Sequence, residues 1–188
     1  MDEMPKQLLA EKRNPLPMQS GRVQKQDYEY ERHGTGNVFM LFEPLAGKRY
    51  VEVTSRRTAV DWAQAMKALS DEYYPDAEVI VLVMDNLNTH KPASFYEAFE
   101  PEEAHRLSQR FEIHYTPKHG SWLNMAEIEL SALVRQSLGG RIPDQEALTK
   151  EAQAWAKERN DEVVKVDWRF STTDARIKLK HLYPRIHV

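Results

Sequence analysis

The sequence predicts an α/β layer fold built on a mixed sheet, and three observations carry that prediction. Residues 37–43, "NVFMLFE", and 49–54, "RYVEVT", read as two strands of a hairpin. Residues 78–85, "EVIVLVMD", form an unbroken β-branched run that suits a parallel strand covered on both faces. The segment order is strand, strand, helix, strand, helix, strand, helix, helix, so hairpin pairing comes first and crossovers follow.

Each element has its own reason. Residues 5–33 lack a sustained period, carry three prolines early and contain a Ser20-Gly21 turn signal, so they read as an irregular arm. Lys6, Lys12, Arg13, Arg22, Lys25 and Arg32 make the arm locally basic. A structureless stretch of that length inside a domain is often functional. Residues 44–48 turn the hairpin. Residues 58–70 place Ala59, Trp62, Ala63, Met66 and Leu69 at helical spacing, with Thr58 as N-cap. Residues 93–108 predict a helix broken at Pro101. Residues 111–115 predict a short strand stopped by Pro117. Residues 122–138 and 144–159 are the two most strongly patterned helices. Gly139-Gly140 is expected to close the first, and Asp144 to cap the second. Ser171-x-x-Asp174 predicts a cap ahead of a short basic helix, "ARIKLKHL", inside a C-terminal tail over 165–188.

The bulk composition limits the function classes. A chain of 188 residues with 41% hydrophobic and 29% charged residues suits a single soluble domain over 1–188. No apolar run approaches twenty residues, and the N-terminus does not resemble a signal peptide. No cysteine is present, which excludes disulfides and zinc–thiolate sites and fits a cytoplasmic location. A net charge of −3 argues against non-specific coating of nucleic acid.

The carboxylates are the candidate chemistry. Asp85 ends a predicted strand, where α/β sheets bind ligands, although Asp85-Asn86 also suits an ordinary turn. In residues 117–134, "PKHGSWLNMAEIELSALV", an apolar arc runs through Trp122, Leu123, Ala126, Leu130, Leu133 and Val134. Glu127 lies at one edge of that arc and Glu129 at the other. Periodicity alone leaves both open, and a boundary glutamate whose stem lies on the apolar stripe is the plainer reading. Asp2, with Glu3 beside it, is undistinguished on its own, since chain ends are usually frayed.

"MDNLNTH" followed by "HYTPKHGSWLNMAEIE" resembles the second and third catalytic segments of bacterial insertion-sequence transposases of the mariner-like DDE group. The opening "MDE", the segment "DYEYERHGTGNVFMLFEPLAGKRY" and the closing "VDWRFSTTDARIKLKHLYP" are similar to the same family, so the resemblance covers nearly the whole chain. It implies a ribonuclease H-like mixed sheet flanked by helices. It also implies an acidic triad of Asp2, Asp85 and Glu127, which selects Glu127 over Glu129 because it stands three residues after Asn124. The implied cofactors are two Mg2+ or Mn2+ ions. The implied reaction is metal-dependent cleavage of DNA at transposon ends and transfer to target DNA. Lys12, Arg13, Arg22, His90, Lys118, His119 and Trp122 are candidate DNA contacts. A homodimer, or association with a full-length transposase, is the expected assembly, with no membrane involved.

Two departures from the family shape further expectations. No helix-turn-helix module precedes the catalytic-type sequence, and only Met1 precedes Asp2 where the family has an apolar central strand. The first central strand is therefore expected to be largely missing, with Asp2 on a loose terminus. The reading frame is expected to be truncated, and the isolated chain to be impaired or to act as a non-catalytic DNA- or transposase-binding module.

Overall fold

The computed structural model describes residues 1–23, 25, 27–117, 120–178 and 180. Five strands and six helices follow one another in mixed order. They are β1 (Asp2–Glu11), β2 (Tyr30–Glu43), β3 (Lys48–Thr54), α1 (Ala59–Ala68), β4 (Ile80–Met84), α2 (Ala93–Ala98), α3 (Pro101–Arg110), β5 (Phe111–Tyr115), α4 (Met125–Gln136), α5 (Gln145–Asp161) and α6 (Thr172–Lys178). The predicted α/β class is thus observed as a mixed arrangement of small sheets and helices.

β1, β2 and β3 form an antiparallel sheet in that order, and β4 and β5 form a separate parallel pair. β2 is the central strand. Val38, Phe39, Met40 and Leu41 are all at most 3% exposed, so both of its faces are covered. Successive side chains of a strand point to opposite faces. Phe39 and Leu41 accordingly join Trp62, Met66, Met84 and Phe95 in one core. Val38 and Met40 join Leu133, Leu148 and Trp155 in a second. Helices α1 to α3 therefore cover one face of the sheet, and α4 and α5 the other.

Several local expectations match. Thr58 caps α1 in a reciprocal box with Asp61. Asp144 accepts from Ala147 N at the start of α5. Pro101 occupies the first turn of α3, where its missing N–H costs nothing. Gly21 sits at φ +75°, a conformation open to glycine, between the paired Gln19 and Arg22.

Four expectations need correction. Residues 5–11 belong to β1 rather than to an irregular arm, so only residues 12–29 remain between the first two strands. The reason is non-local: nine rungs to β2, from Asp2–Met40 to Glu11–Tyr30, supply partners that a local pattern does not reveal. The terminus is also not loose, because Met1 is 5% exposed and Asp2 already lies on the ladder. β4 is not covered on both faces: Val79, Val81 and Val83 are 53, 62 and 45% exposed. Finally, α4 ends at Gln136 with Ser137 as its C-cap, before the glycine pair, and neither glycine adopts a positive φ. Of the basic last helix, the structure describes Thr172–Lys178, opened by the expected Ser171–Asp174 box. Among the described residues no helix is long and apolar enough to cross a membrane.

Candidate active site

Asp2, Asp85 and Glu127 line one open cavity of about 600 Å3, together with Glu3, Ser131 and Arg135. Three different elements deliver the acids. Asp2 opens β1, Asp85 follows the last residue of β4, and Glu127 stands in the first turn of α4. Glu127 is exposed, and its side chain has no hydrogen bond or ion pair among the described residues. Glu129 is 1% exposed and belongs to a different structure. Its oxygens meet Arg49 Nε at 2.8 Å and Arg159 Nη2 at 3.1 Å. Arg49, itself buried on β3, also donates to Val164 O at 2.7 Å. Glu129 is therefore an internal counter-ion joining α4, β3 and α5.

Asp85 takes the turn role that its position suggests, and it also holds a buried histidine. Its Oδ1 accepts from Leu87 N at 3.2 Å, which is an Asx-type turn. The same oxygen is 2.7 Å from His90 Nδ1. His90 is 0% exposed, and its other nitrogen, Nε2, lies 3.0 Å from Glu3 Oε2. That second contact is an ion pair whose angle falls short of hydrogen-bond geometry. Burial pushes the imidazole toward its neutral form, but Glu3 and Asp85 together outweigh this and hold its pKa above the ordinary value. His90 is thus a buried ring held between two acids, and the expectation that it touches DNA is corrected: a fully buried ring cannot reach a phosphate. Tyr115 OH, donating to His90 O at 2.8 Å, and Ser94 Oγ, donating to Thr89 O at 2.8 Å, fix the loop that carries it.

Asn124 joins the ends of the site. As N-cap of α4 it accepts from Ala126 N at 3.2 Å, while its Nδ2 donates to Met1 O at 2.8 Å. One buried amide therefore sets the start of α4, which carries Glu127, against the start of β1, which carries Asp2. Burial, with added repulsion from Glu3 and Asp85, pushes the Asp2 carboxyl up to about 6, against the pull of its hydrogen bond from Glu3 N.

The donor set consists of hard carboxylate oxygens, the ligands that Mg2+ and Mn2+ prefer. A desolvated acidic group beside two further acids is also the environment a bound cation relieves. Among the described residues no three acidic or histidine side chains already converge as a ligand group. The acids lining the cavity supply the oxygen type a hard cation takes, without forming a ligand group among the described residues.

The other predicted contacts scatter. Lys12 pairs with Glu29 at 2.9 Å and Arg13 with Asp27 at 3.5 Å. Arg22 is exposed at the tip of the segment between β1 and β2. Trp122 meets Phe170 edge-on at 5.0 Å and lies under Lys178 Nζ at 4.5 Å. Lys118 and His119 lie outside the described residues. Sequence reasoning missed Glu3 and Arg135 in the cavity and the bridging part of Asn124. The only available signal was Asn124 standing just ahead of an apolar run, the usual mark of an N-cap.

A mixed α/β fold that brings acidic side chains from a strand start, a strand end and a helix start to one cavity defines an acidic-site α/β domain. The DDE superfamily endonuclease family matches the chain over residues 1–149, and the chain belongs to that family. No curated protein and no solved structure matches the chain.

Proposed function

We propose that this chain is the catalytic domain of a mariner-like DDE transposase of the bacterial insertion-sequence type, built on a ribonuclease H-like sheet, which cuts and joins DNA strands using Asp2, Asp85 and Glu127. The observation that carries the reading is that these three acids, from three separated elements, line one open cavity while the neighbouring Glu129 is locked in a buried ion pair. Two divalent ions held there, Mg2+ or Mn2+, would activate the attacking oxygen and neutralise the leaving one.

The chain's own residues do the positioning. His90 holds one oxygen of Asp85, which leaves the other for a ligand. Asn124 ties the start of β1, which carries Asp2, to the start of α4, which carries Glu127. Arg135, exposed on the same cavity, is the side chain placed to meet a substrate phosphate. DNA ends and target DNA are the substrates, and a homodimer or a complex with a full-length transposase is the assembly.

Plasmid nicking with Mg2+ or Mn2+ tests this. Asp85→Asn and Glu127→Gln should each reduce nicking to background, and millimolar Mn2+ should raise the melting temperature of the parent but not of Asp85→Asn. Nicking that survives Asp85→Asn would refute the assignment. A second reading is a non-catalytic module that binds DNA or an intact transposase. Under that reading, inhibition of an intact transposase persists in Asp85→Asn.

A further inference from the structure

Glu3 reaches both aspartates of the cavity. Its backbone N–H donates to Asp2 Oδ1 at 2.9 Å. Its side chain, 2% exposed, places Oε2 3.0 Å from Nε2 of His90, whose Nδ1 lies 2.7 Å from Asp85 Oδ1. One residue of β1 therefore meets the acid beside it through the main chain, and the acid that follows β4 through a buried ring. In both aspartates Oδ1 is the oxygen taken up, and Oδ2 has no hydrogen bond or ion pair among the described residues.

The ring transmits the second contact. The backbone of His90 is already held, since its N donates to Leu87 O at 3.0 Å and its O accepts from Tyr115 OH at 2.8 Å. A fixed backbone does not orient an imidazole, because the outer torsion of histidine is broad and roughly two-fold. Trp62 packs beside the ring at 6.0 Å between centroids, but a flipped imidazole fills nearly the same space. A carboxylate at Nε2 does choose, because the flip would replace that nitrogen with a carbon. Glu3 itself is steadied from outside by Arg57, whose Nη1 lies 3.8 Å from Oε1.

We propose that Glu3 is a positioning residue for the acidic cavity. It holds one oxygen of each aspartate, Asp2 through its own N–H and Asp85 through His90, and so sets how the two free oxygens stand relative to one another before a cation arrives. The inference rests on the reading of Asp2 and Asp85 as metal-holding acids. Oxygens set in advance lower the cost of ordering two carboxylates on binding.

Glu3→Gln severs only the side-chain arm, since the backbone N–H remains. The metal-free chain is observed first, by heteronuclear NMR of the His90 ring, assigned by its loss in His90→Gln. The parent should give one sharp set of ring signals, and Glu3→Gln a doubled or broadened set with the parent circular dichroism spectrum. Mn2+ is then titrated, and the free ion is read by electron paramagnetic resonance. Glu3→Gln should weaken binding at least about tenfold. In a His90→Gln background the same substitution should change affinity less than about twofold, because the path to Asp85 is already cut. Glu3→Asp, which keeps the acid but falls one methylene short of the ring, is the second variant and should match Glu3→Gln in every readout. Unchanged ring signals, unchanged Mn2+ affinity, or losses that multiply in the double variant would overturn the proposal; the last would make Glu3 a direct ligand. A parent that binds Mn2+ no better than Asp85→Asn refutes the metal reading instead, and the ring signals of the metal-free chain then decide whether Glu3 sets His90.

Discussion

Glu127 and Glu129 stand two residues apart on α4 and do opposite things. Glu129 is held inside the protein by Arg49 and Arg159, and removing one partner of a buried ion pair strands the other. Glu129→Ala should therefore lower unfolding stability by about 3–5 kcal/mol in a urea melt. Glu127→Ala, at an exposed side chain, should leave the melt nearly unchanged while abolishing nicking. A melt that ranks the two the other way would mean that the ion-pair assignment is wrong. The sequence showed both glutamates flanking the apolar arc but could not rank them. Arg49 is remote in the chain, and nothing in its own neighbourhood marks it as a buried cation. Only the Ser-Trp-Leu-Asn-x-x-Glu spacing separated the two. His90 was hard to place for a related reason: a histidine after a polar loop looks accessible until Trp62 packs beside it. His90→Ala should cost about 1–3 kcal/mol in a urea melt by removing the buried partner of Asp85 Oδ1, with a milder loss for His90→Gln.

At the scale of elements, what was legible depended on whether the information is local. Caps, breaks and periods are local, so Thr58, Asp144 and Pro101 delimit helices where expected, and residues 111–115 form a strand as read. β1 was invisible because its sequence, "DEMPKQLLAE", contains no β-branched residue and one proline. It is a strand because β2 holds it, through a register broken once between Gln7 and Leu9, and because Leu9 N donates to Ile142 O at 2.7 Å on the other edge. α4 and β1 meet through Asn124. Asn124→Ala should cost about 1 kcal/mol for the lost cap and roughly another 1–3 kcal/mol for the unpaired Met1 carbonyl. It should also reduce Mn2+ binding in calorimetry, because Asp2 and Glu127 lose their common anchor. Unchanged metal affinity in a folded Asn124→Ala chain would remove Asn124 from the site.

For the whole molecule, two cores grip opposite faces of β2, and the charged periphery adds its own pH dependence. Arg106 and Lys67 bind Asp71 and Glu103 between α3 and the turn after α1. Arg106 and Lys67 hold the Glu103 carboxyl down at about 2. A depressed acid stabilises the fold above its unfolded pKa, near 4.5, and that stabilisation disappears as pH falls through 2. Arg106→Leu should therefore melt earlier than the parent at pH 6, with the gap narrowing between pH 4.5 and 2. A gap independent of pH would show that the cluster acts by packing alone. The alternation of strands and helices was readable from β2 onward. The division into a three-stranded sheet and a separate parallel pair was not, because it depends on which edges find partners in space.

Met1 gives its amine to Val83 and its carbonyl to Asn124, and it sits almost wholly out of solvent. A shift of this one residue therefore reaches β4 and the start of α4 together, and with them the places of Asp85 and Glu127.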